Sequence, residues 1–152
     1  MFGFRRLASL AVTVRRPNFR ISDFHIRIYN SYNLSKQYTW FKIANHINEL
    51  DFPDNNISLV EVNGKRVCIG KHNDEIFAFT NKCPHAGGMM SEGYIDALGN
   101  VVCPMHRYKY DMRNGRNTSG EGYYLTHWPV ETREDGIYVG MESSGGLFGW
   151  FK

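Results

Sequence analysis

Two short segments that each carry one cysteine and one histidine most constrain what this chain can fold into. Cys83-x-His85 and Cys103-x-x-His106 are separated by 17 residues, and each follows a predicted strand, EIFAFT at 75–80 and NVV at 100–102. Loops held by strands are where proteins best present functional side chains. We therefore interpret the four side chains as one set of candidate ligands on two loops.

Three kinds of chemistry could use two such pairs. A structural zinc ion takes four ligands, but zinc sites usually pair like ligands at short spacing, whereas each loop here supplies one of each kind. A nucleophilic Cys–His pair needs an orienting third residue and leaves the second pair unexplained. A binuclear iron–sulfur cluster suits mixed pairs, because two thiolates can bind one iron and two imidazoles the other. The pattern favours the cluster and leaves zinc as the alternative.

The surrounding chain is predicted to consist of short strands joined by tight turns. ISLVEV at 57–62 and KRVCIG at 65–70 flank Asn63-Gly64, a strong hairpin signal. Further along, WPVET and GIYVGM flank Glu134-Asp135-Gly136, and NHINEL is the one helical hint. Strands at this spacing predict an all-β fold, an antiparallel sandwich or barrel.

Charge is distributed unevenly along the sequence. The net charge is +3, but residues 1–22 contain five arginines and no acidic residue, so the remaining 130 residues carry −2. A slightly acidic body argues against nucleic-acid binding, which needs a basic face on the folded domain. No run of about 18 apolar residues is present, so no membrane span is expected.

Cysteine usage indicates metal chemistry more than cross-linking. Three cysteines are too few for a disulfide framework, and two of them stand close to histidines. The third, Cys68, lies in the alternating strand RVCIG and is predicted to be a buried core residue. This usage favours a reducing compartment, so we expect a cytoplasmic protein. The Arg-rich, acid-poor N-terminal segment also fits organellar targeting.

We divide the chain into three parts. Residues 1–38 form a basic N-terminal tail, either disordered or a targeting segment, and residues 39–142 form the folded domain, with candidate ligand loops at about 82–90 and 102–111. Residues 143–152 form a Gly/aromatic C-terminal tail, in which Leu147, Phe148 and Trp150 are predicted to pack onto the domain.

The segments CPHAGG (83–88) and CPMHRYKYD (103–111) are similar to the signature of Rieske [2Fe–2S] proteins, and residues 40–141 resemble the small Rieske-type ferredoxins. The resemblance implies a Rieske-type antiparallel β sandwich or barrel with a small cluster-binding subdomain of two loops. It implies one [2Fe–2S] cluster, with Cys83 and Cys103 on one iron and His85 and His106 on the other. The histidines would bind through Nδ1 and lie partly exposed at one tip.

The chain departs from the respiratory members of that family. Gly88 and Met105 stand where those members carry two further cysteines, so their inter-loop disulfide cannot form. Tyr108 stands where a serine would donate to a cluster sulfide, which should lower the reduction potential. Tyr110 matches a tyrosine whose hydroxyl reaches a ligand sulfur, and Arg107 replaces a common glycine. We expect a low-potential centre, at roughly −150 mV.

The cover of the site also departs from the family pattern. Many members have a proline-rich stretch after the second loop, whereas this chain has NTSGEGYYLTHWP. Tyr123 and Tyr124 are predicted to form an apolar lid in its place.

The resemblance implies a one-electron carrier that is not an enzyme by itself. Such a ferredoxin would pass electrons from a reductase to an oxygenase or another acceptor, docking weakly through the exposed histidine tip. The alternative is a non-catalytic Rieske subunit fixed in an enzyme complex, as in nitrite reductase small subunits. A zinc-binding module with no redox role is the third hypothesis.

Overall fold

The computed structural model describes residues 36–143. The predictions made for residues 1–35, and for Leu147, Phe148 and Trp150, lie outside the described residues. The described chain forms ten strands: β1 Tyr38–Ala44, β2 Ile57–Val62, β3 Lys65–His72, β4 Glu75–Thr80, β5 Tyr94–Ile95, β6 Asn100–Val102, β7 Lys109–Asp111, β8 His127–Trp128, β9 Val130–Arg133 and β10 Gly136–Glu142. Short 3₁₀ helices at Ile47–Glu49 and Met90–Glu92 complete it, and these residues contain no α-helix.

The strands form three antiparallel sheets. Their orders are β1-β10-β9, β2-β3-β4-β8 and β5-β6-β7. The predicted all-β antiparallel fold is therefore confirmed. Within NHINEL, the structure has only the 3₁₀ turn Ile47–Glu49 and no α-helix. Short turns of this kind are common as connectors between strands. Nowhere in residues 36–143 is there a helix with the length and apolar character to cross a membrane.

The hairpin between β2 and β3 shows how turn chemistry fixes register. Asn63 and Gly64 have φ of 51° and 72°, and Val62 pairs directly with Lys65. A two-residue turn with positive φ at both positions matches the right-handed twist of the strands, and Asn-Gly supplies it at little cost. This turn sets which residues of β3 face each side of the sheet.

The central sheet β2-β3-β4-β8 carries a packed core on each face. Successive residues of a strand point to opposite faces, so Val67 and Ile69 face one core while Cys68 faces the other. The body core lies against β1 and β10 and comprises Ala44, Leu50, Val62, Val67, Ile69, Ala78, Ile137, Val139 and Met141. The loop core comprises Ile57, Cys68, Phe79, Cys83, Met90, Val101, Cys103, Tyr110, Met112 and Leu125.

Both candidate ligand cysteines belong to the loop core. Cys83 and Cys103 are only 4% and 1% exposed, and Phe79 and Tyr110 of the same core are fully buried. The loop core therefore anchors the two candidate loops to the central sheet, and what remains outside the core forms their tips.

Candidate metal centre

The two candidate loops have the same backbone hydrogen bonds. In each, the amide four residues after the cysteine donates to the cysteine carbonyl oxygen, at 2.9 Å for Cys83 and 3.0 Å for Cys103. The cysteine amide in turn donates to the carbonyl oxygen five residues on, at 2.8 and 2.9 Å respectively. The two cysteines thus begin equivalent turns, although the histidine follows at a different offset in each.

The fourth residue after each cysteine adopts a left-handed conformation. It is Gly87 in the first loop, with φ of 73°, and Arg107 in the second, with φ of 59°. Glycine adopts this region freely, whereas a residue with a Cβ pays roughly 1–2 kcal/mol. This explains Gly87, and it shows what is unusual about Arg107, which holds a strained position and keeps its side chain exposed.

Close approach of the two loops requires Gly88. A Cβ atom built at this position would lie 3.1 Å from Cys103 Sγ and 3.3 Å from the Cβ of Met105. Both distances are shorter than a comfortable contact, so a side chain here would push the second loop away. Gly88 therefore lets the two cysteines reach the same side of the loop core.

The two thiols form one pair. Cys83 and Cys103 lie close enough to shift each other's pKa, and the Tyr110 hydroxyl lies 3.5 Å from Cys83 Sγ. Burial raises the pKa of the Cys83 thiol, but hydrogen bonds from Tyr110 and the His85 backbone outweigh this and leave it below its ordinary value. Burial raises the pKa of Cys103, and Cys83 raises it further.

The two imidazoles form a second pair. The ring centroids of His85 and His106 are 4.8 Å apart, with an interplanar angle of 73°. His85 is half-buried and His106 is exposed. Nδ1 of His85 is buried and has no hydrogen-bond partner among the described residues. A buried ring nitrogen without a partner is costly unless a proton donor or a metal ion occupies its lone-pair direction.

Two tyrosines cover His85. The ring of Tyr108 lies 4.6 Å from the His85 ring, and that of Tyr123 lies 5.2 Å from it. Tyr123 covers the site as predicted, but Tyr124 is 65% exposed. The sequence analysis treated Tyr108 only as a replacement for a serine and did not predict its packing against His85. The one sequence feature that could have indicated this contact is an aromatic residue two positions after His106.

The donors fit a centre of two metal ions better than a centre of one. The thiols and the imidazoles form two separate pairs. Two thiolates for one iron and two imidazoles for another is the donor set of a Rieske-type [2Fe–2S] centre. The residues present therefore fit that group.

Cys68 is not part of the arrangement. It is fully buried, and its Sγ donates to Asn81 Oδ1 at 3.3 Å. Burial raises the pKa of its thiol to about 12. It behaves as the small core residue that the strand pattern predicted.

A family model and a curated protein match this chain. A family model described as the Rieske [2Fe-2S] domain matches residues 39–123. The ferredoxin component of naphthalene 1,2-dioxygenase/salicylate 5-hydroxylase systems from Ralstonia sp. is 32% identical over 66 residues, 43% of this chain. That match spans 62% of the length of the Ralstonia protein.

Two solved structures share the fold at lower identity. The ferredoxin of carbazole 1,9a-dioxygenase from Nocardioides aromaticivorans IC177 has a TM-score of 0.57 and 23% identity, covering 66% of this chain and 96% of that one. A Mycobacterium tuberculosis protein assigned as an NADH-dependent nitrite reductase small subunit has a TM-score of 0.60 and 19% identity, covering 70% and 97%.

Proposed function

Because the chain belongs to the Rieske [2Fe-2S] domain family, we propose that its four loop side chains hold one [2Fe–2S] cluster. Cys83 and Cys103 hold one iron, and His85 and His106 hold the other through Nδ1. The observation that carries this assignment is the buried Nδ1 of His85, which has no protein partner within residues 36–143, in a ring whose centroid lies 4.8 Å from that of His106. The separate pairing of thiols and imidazoles supports it.

A bound cluster of this kind supplies one-electron transfer at a low-to-moderate potential. The protein's part is to hold its ligands rigidly and to control access to them. The cysteines are buried in the loop core, which would hold these two ligands in place. Tyr108 and Tyr123 exclude water from one side of His85, and His106 faces solvent.

We propose that the chain is a one-electron carrier that accepts electrons from a reductase and delivers them to an oxygenase or another acceptor. The name of the Ralstonia relative, a ferredoxin component of dioxygenase systems, supports this proposal. The exposed His106 and its neighbour Met105, which is 56% exposed, provide a small apolar docking tip beside the site. Small interfaces suit the brief encounters of electron-transfer proteins. We place the carrier in residues 39–142 and in the cytoplasm.

The ligand assignment is tested by metal analysis and EPR of anaerobically purified protein. We expect two irons per chain and, after dithionite reduction, the EPR signal characteristic of mixed Cys/His ligation. His106→Cys should change the spectrum markedly, whereas His127→Cys, at an exposed position in β8, should leave it unchanged. An unaltered spectrum in His106→Cys removes His106 from the ligand set. A colourless protein with stoichiometric zinc refutes the carrier altogether.

The fold shared with the nitrite reductase small subunit favours one alternative, a subunit fixed in an enzyme complex. The two functions differ in how the protein associates with its partner. A carrier purifies alone and is reduced by a reductase in a bimolecular, salt-dependent reaction. A fixed subunit co-purifies with a larger chain at constant stoichiometry, and that result would replace the carrier proposal.

A further inference from the structure

Asn117 lies in the loop core region with its side-chain amide held in one orientation. The residue is only 6% exposed. Its Oδ1 accepts hydrogen bonds from the amides of Ser119 at 2.7 Å and Glu121 at 3.2 Å. Flipping the amide would turn an NH₂ group toward two N–H donors, so the position of Nδ2 is fixed by these contacts.

The Nδ2 of Asn117 has no hydrogen-bond partner of normal length among residues 36–143. A buried donor without an acceptor costs about 1–3 kcal/mol, so native proteins seldom leave one without a role. An amide NH₂ can only donate. The group it serves must therefore be an acceptor that lies nearby.

Tyr110 is that neighbour. Asn117 and Tyr110 pair directly across an antiparallel bridge, which places their side chains side by side. Burial raises the pKa of Tyr110 and its contact with Cys83 raises it further, whereas the nearby Asn117 side chain lowers it. The amide therefore lies near the tyrosine hydroxyl, which is also 3.5 Å from Cys83 Sγ.

We propose that Asn117 is a positioning residue for the cluster: its Nδ2 donates to the Tyr110 oxygen and so directs the hydroxyl proton to Cys83 Sγ. A hydroxyl has one proton to donate. With a fixed donor on its oxygen, the remaining orientation that makes a second hydrogen bond points the proton at the sulfur. Hydrogen bonds to ligand sulfurs set the potential of iron–sulfur centres. This inference rests on the proposed function, because it takes Cys83 to be a ligand.

The test is a double-mutant cycle on the reduction potential of the loaded protein, measured by voltammetry. The variants are Asn117→Ala, Tyr110→Phe and the two combined. Asn117→Ala should shift the reduction equilibrium about threefold toward the oxidised form, which is about 28 mV for one electron. In the Tyr110→Phe background the same change should have no effect, because there is no hydroxyl left to orient.

Asn117→Asp provides a second variant that keeps the turn, since its oxygen can still accept from Ser119 and Glu121. It replaces the donor with an acceptor, so the hydroxyl proton should turn away from Cys83. The added negative charge lowers the potential both in the wild-type protein and in Tyr110→Phe. The part of the shift that is seen only when Tyr110 is present measures the interaction between residues 117 and 110. Asn100→Ala, a buried asparagine in β6 that bonds Asp96, is the matched control and should leave the potential unchanged.

Each outcome has one meaning. Equal shifts from the Asn117 variants with and without the Tyr110 hydroxyl overturn the inference, as does a shift of the same size in Asn100→Ala. The wild-type EPR spectrum separates this failure from failure of the proposed function. A wild-type protein with the mixed-ligand signal and an additive cycle keeps the cluster and loses only the role of Asn117.

Discussion

Replacing Gly88 by alanine should damage the metal centre while leaving the fold in place. The new methyl group would lie 3.1 Å from Cys103 Sγ and 3.3 Å from the Cβ of Met105. Comfortable contacts between such atoms begin at about 3.5 Å. Gly88 does not have a positive φ, so the strain comes from space rather than from backbone conformation. The second loop must therefore move by a few tenths of an ångström or more, carrying Cys103 with it.

The size of the effect follows from two comparisons within the same chain. Gly87 has φ of 73° and Gly64 has φ of 72°, and a Cβ on either would meet no atom within 4 Å. Gly87→Ala and Gly64→Ala should each cost roughly 1–2 kcal/mol, through the left-handed backbone alone. Gly88→Ala should cost about 1–3 kcal/mol, the usual range for overpacking a tight site. The three variants thus lose similar stability for different reasons.

The three variants should therefore differ in cluster content although they lose similar stability. We would measure the free energy of unfolding by denaturant titration, and the iron content and visible circular dichroism of the loaded protein. Gly88→Ala should lose iron or change the visible spectrum, because only this variant displaces a ligand sulfur. Gly87→Ala and Gly64→Ala should keep wild-type spectra. Full iron content and an unchanged spectrum in Gly88→Ala would refute the reasoning, as would equal damage in Gly64→Ala.

Two further predictions concern residues outside the ligand set. Burial raises the pKa of Asp96, but hydrogen bonds from Asn100, Lys109 and Leu98 outweigh it and leave the pKa below its ordinary value. Because the folded pKa is depressed, ionised Asp96 stabilises the protein above the unfolded value of about 3.9, and this is lost as the pH falls through the folded pKa. Asp96→Asn should cost about 1–3 kcal/mol near neutral pH. The difference in free energy of unfolding between the variant and wild type should shrink as the pH is lowered. A difference that does not depend on pH contradicts the assignment. Cys68, with its pKa raised to about 12, should resist iodoacetamide in the native protein, and Cys68→Ala should keep the wild-type EPR signal. Loss of that signal would make Cys68 part of the site.

Local sequence signals were enough to predict β2, β3, β4, β6 and β10 and to single out the candidate ligands. Asn63-Gly64 specifies its own turn, because both residues tolerate positive φ and a two-residue turn fixes the pairing of β2 with β3. The Cys/His pairs can be recognised from the sequence because their residue types and spacing are rare outside metal sites. Both signals are contained within a few neighbouring positions of the chain.

Features that depend on contacts between distant segments could not be predicted in the same way. The stacking of Tyr108 and Tyr123 on His85 requires the approach of the second loop and the chain that follows it. The role proposed for Asn117 depends on its backbone bridge to Tyr110. This pairing cannot be predicted from the two residue types. The two cores of the central sheet likewise become visible only when every strand is placed.

The pairing of β1 with β10 has a consequence for biosynthesis. Tyr38 pairs with Glu142, and the amide of Ser143 donates to the Gln37 carbonyl oxygen across 106 positions of sequence. During translation, β2, β3 and β4 can pair with their neighbours as they emerge, but β1 must wait for almost the whole domain. The two candidate ligand loops are therefore made while one face of the central sheet is still uncovered. A ribosome-bound nascent chain that ends before β10 would hold both loops complete and the body core open.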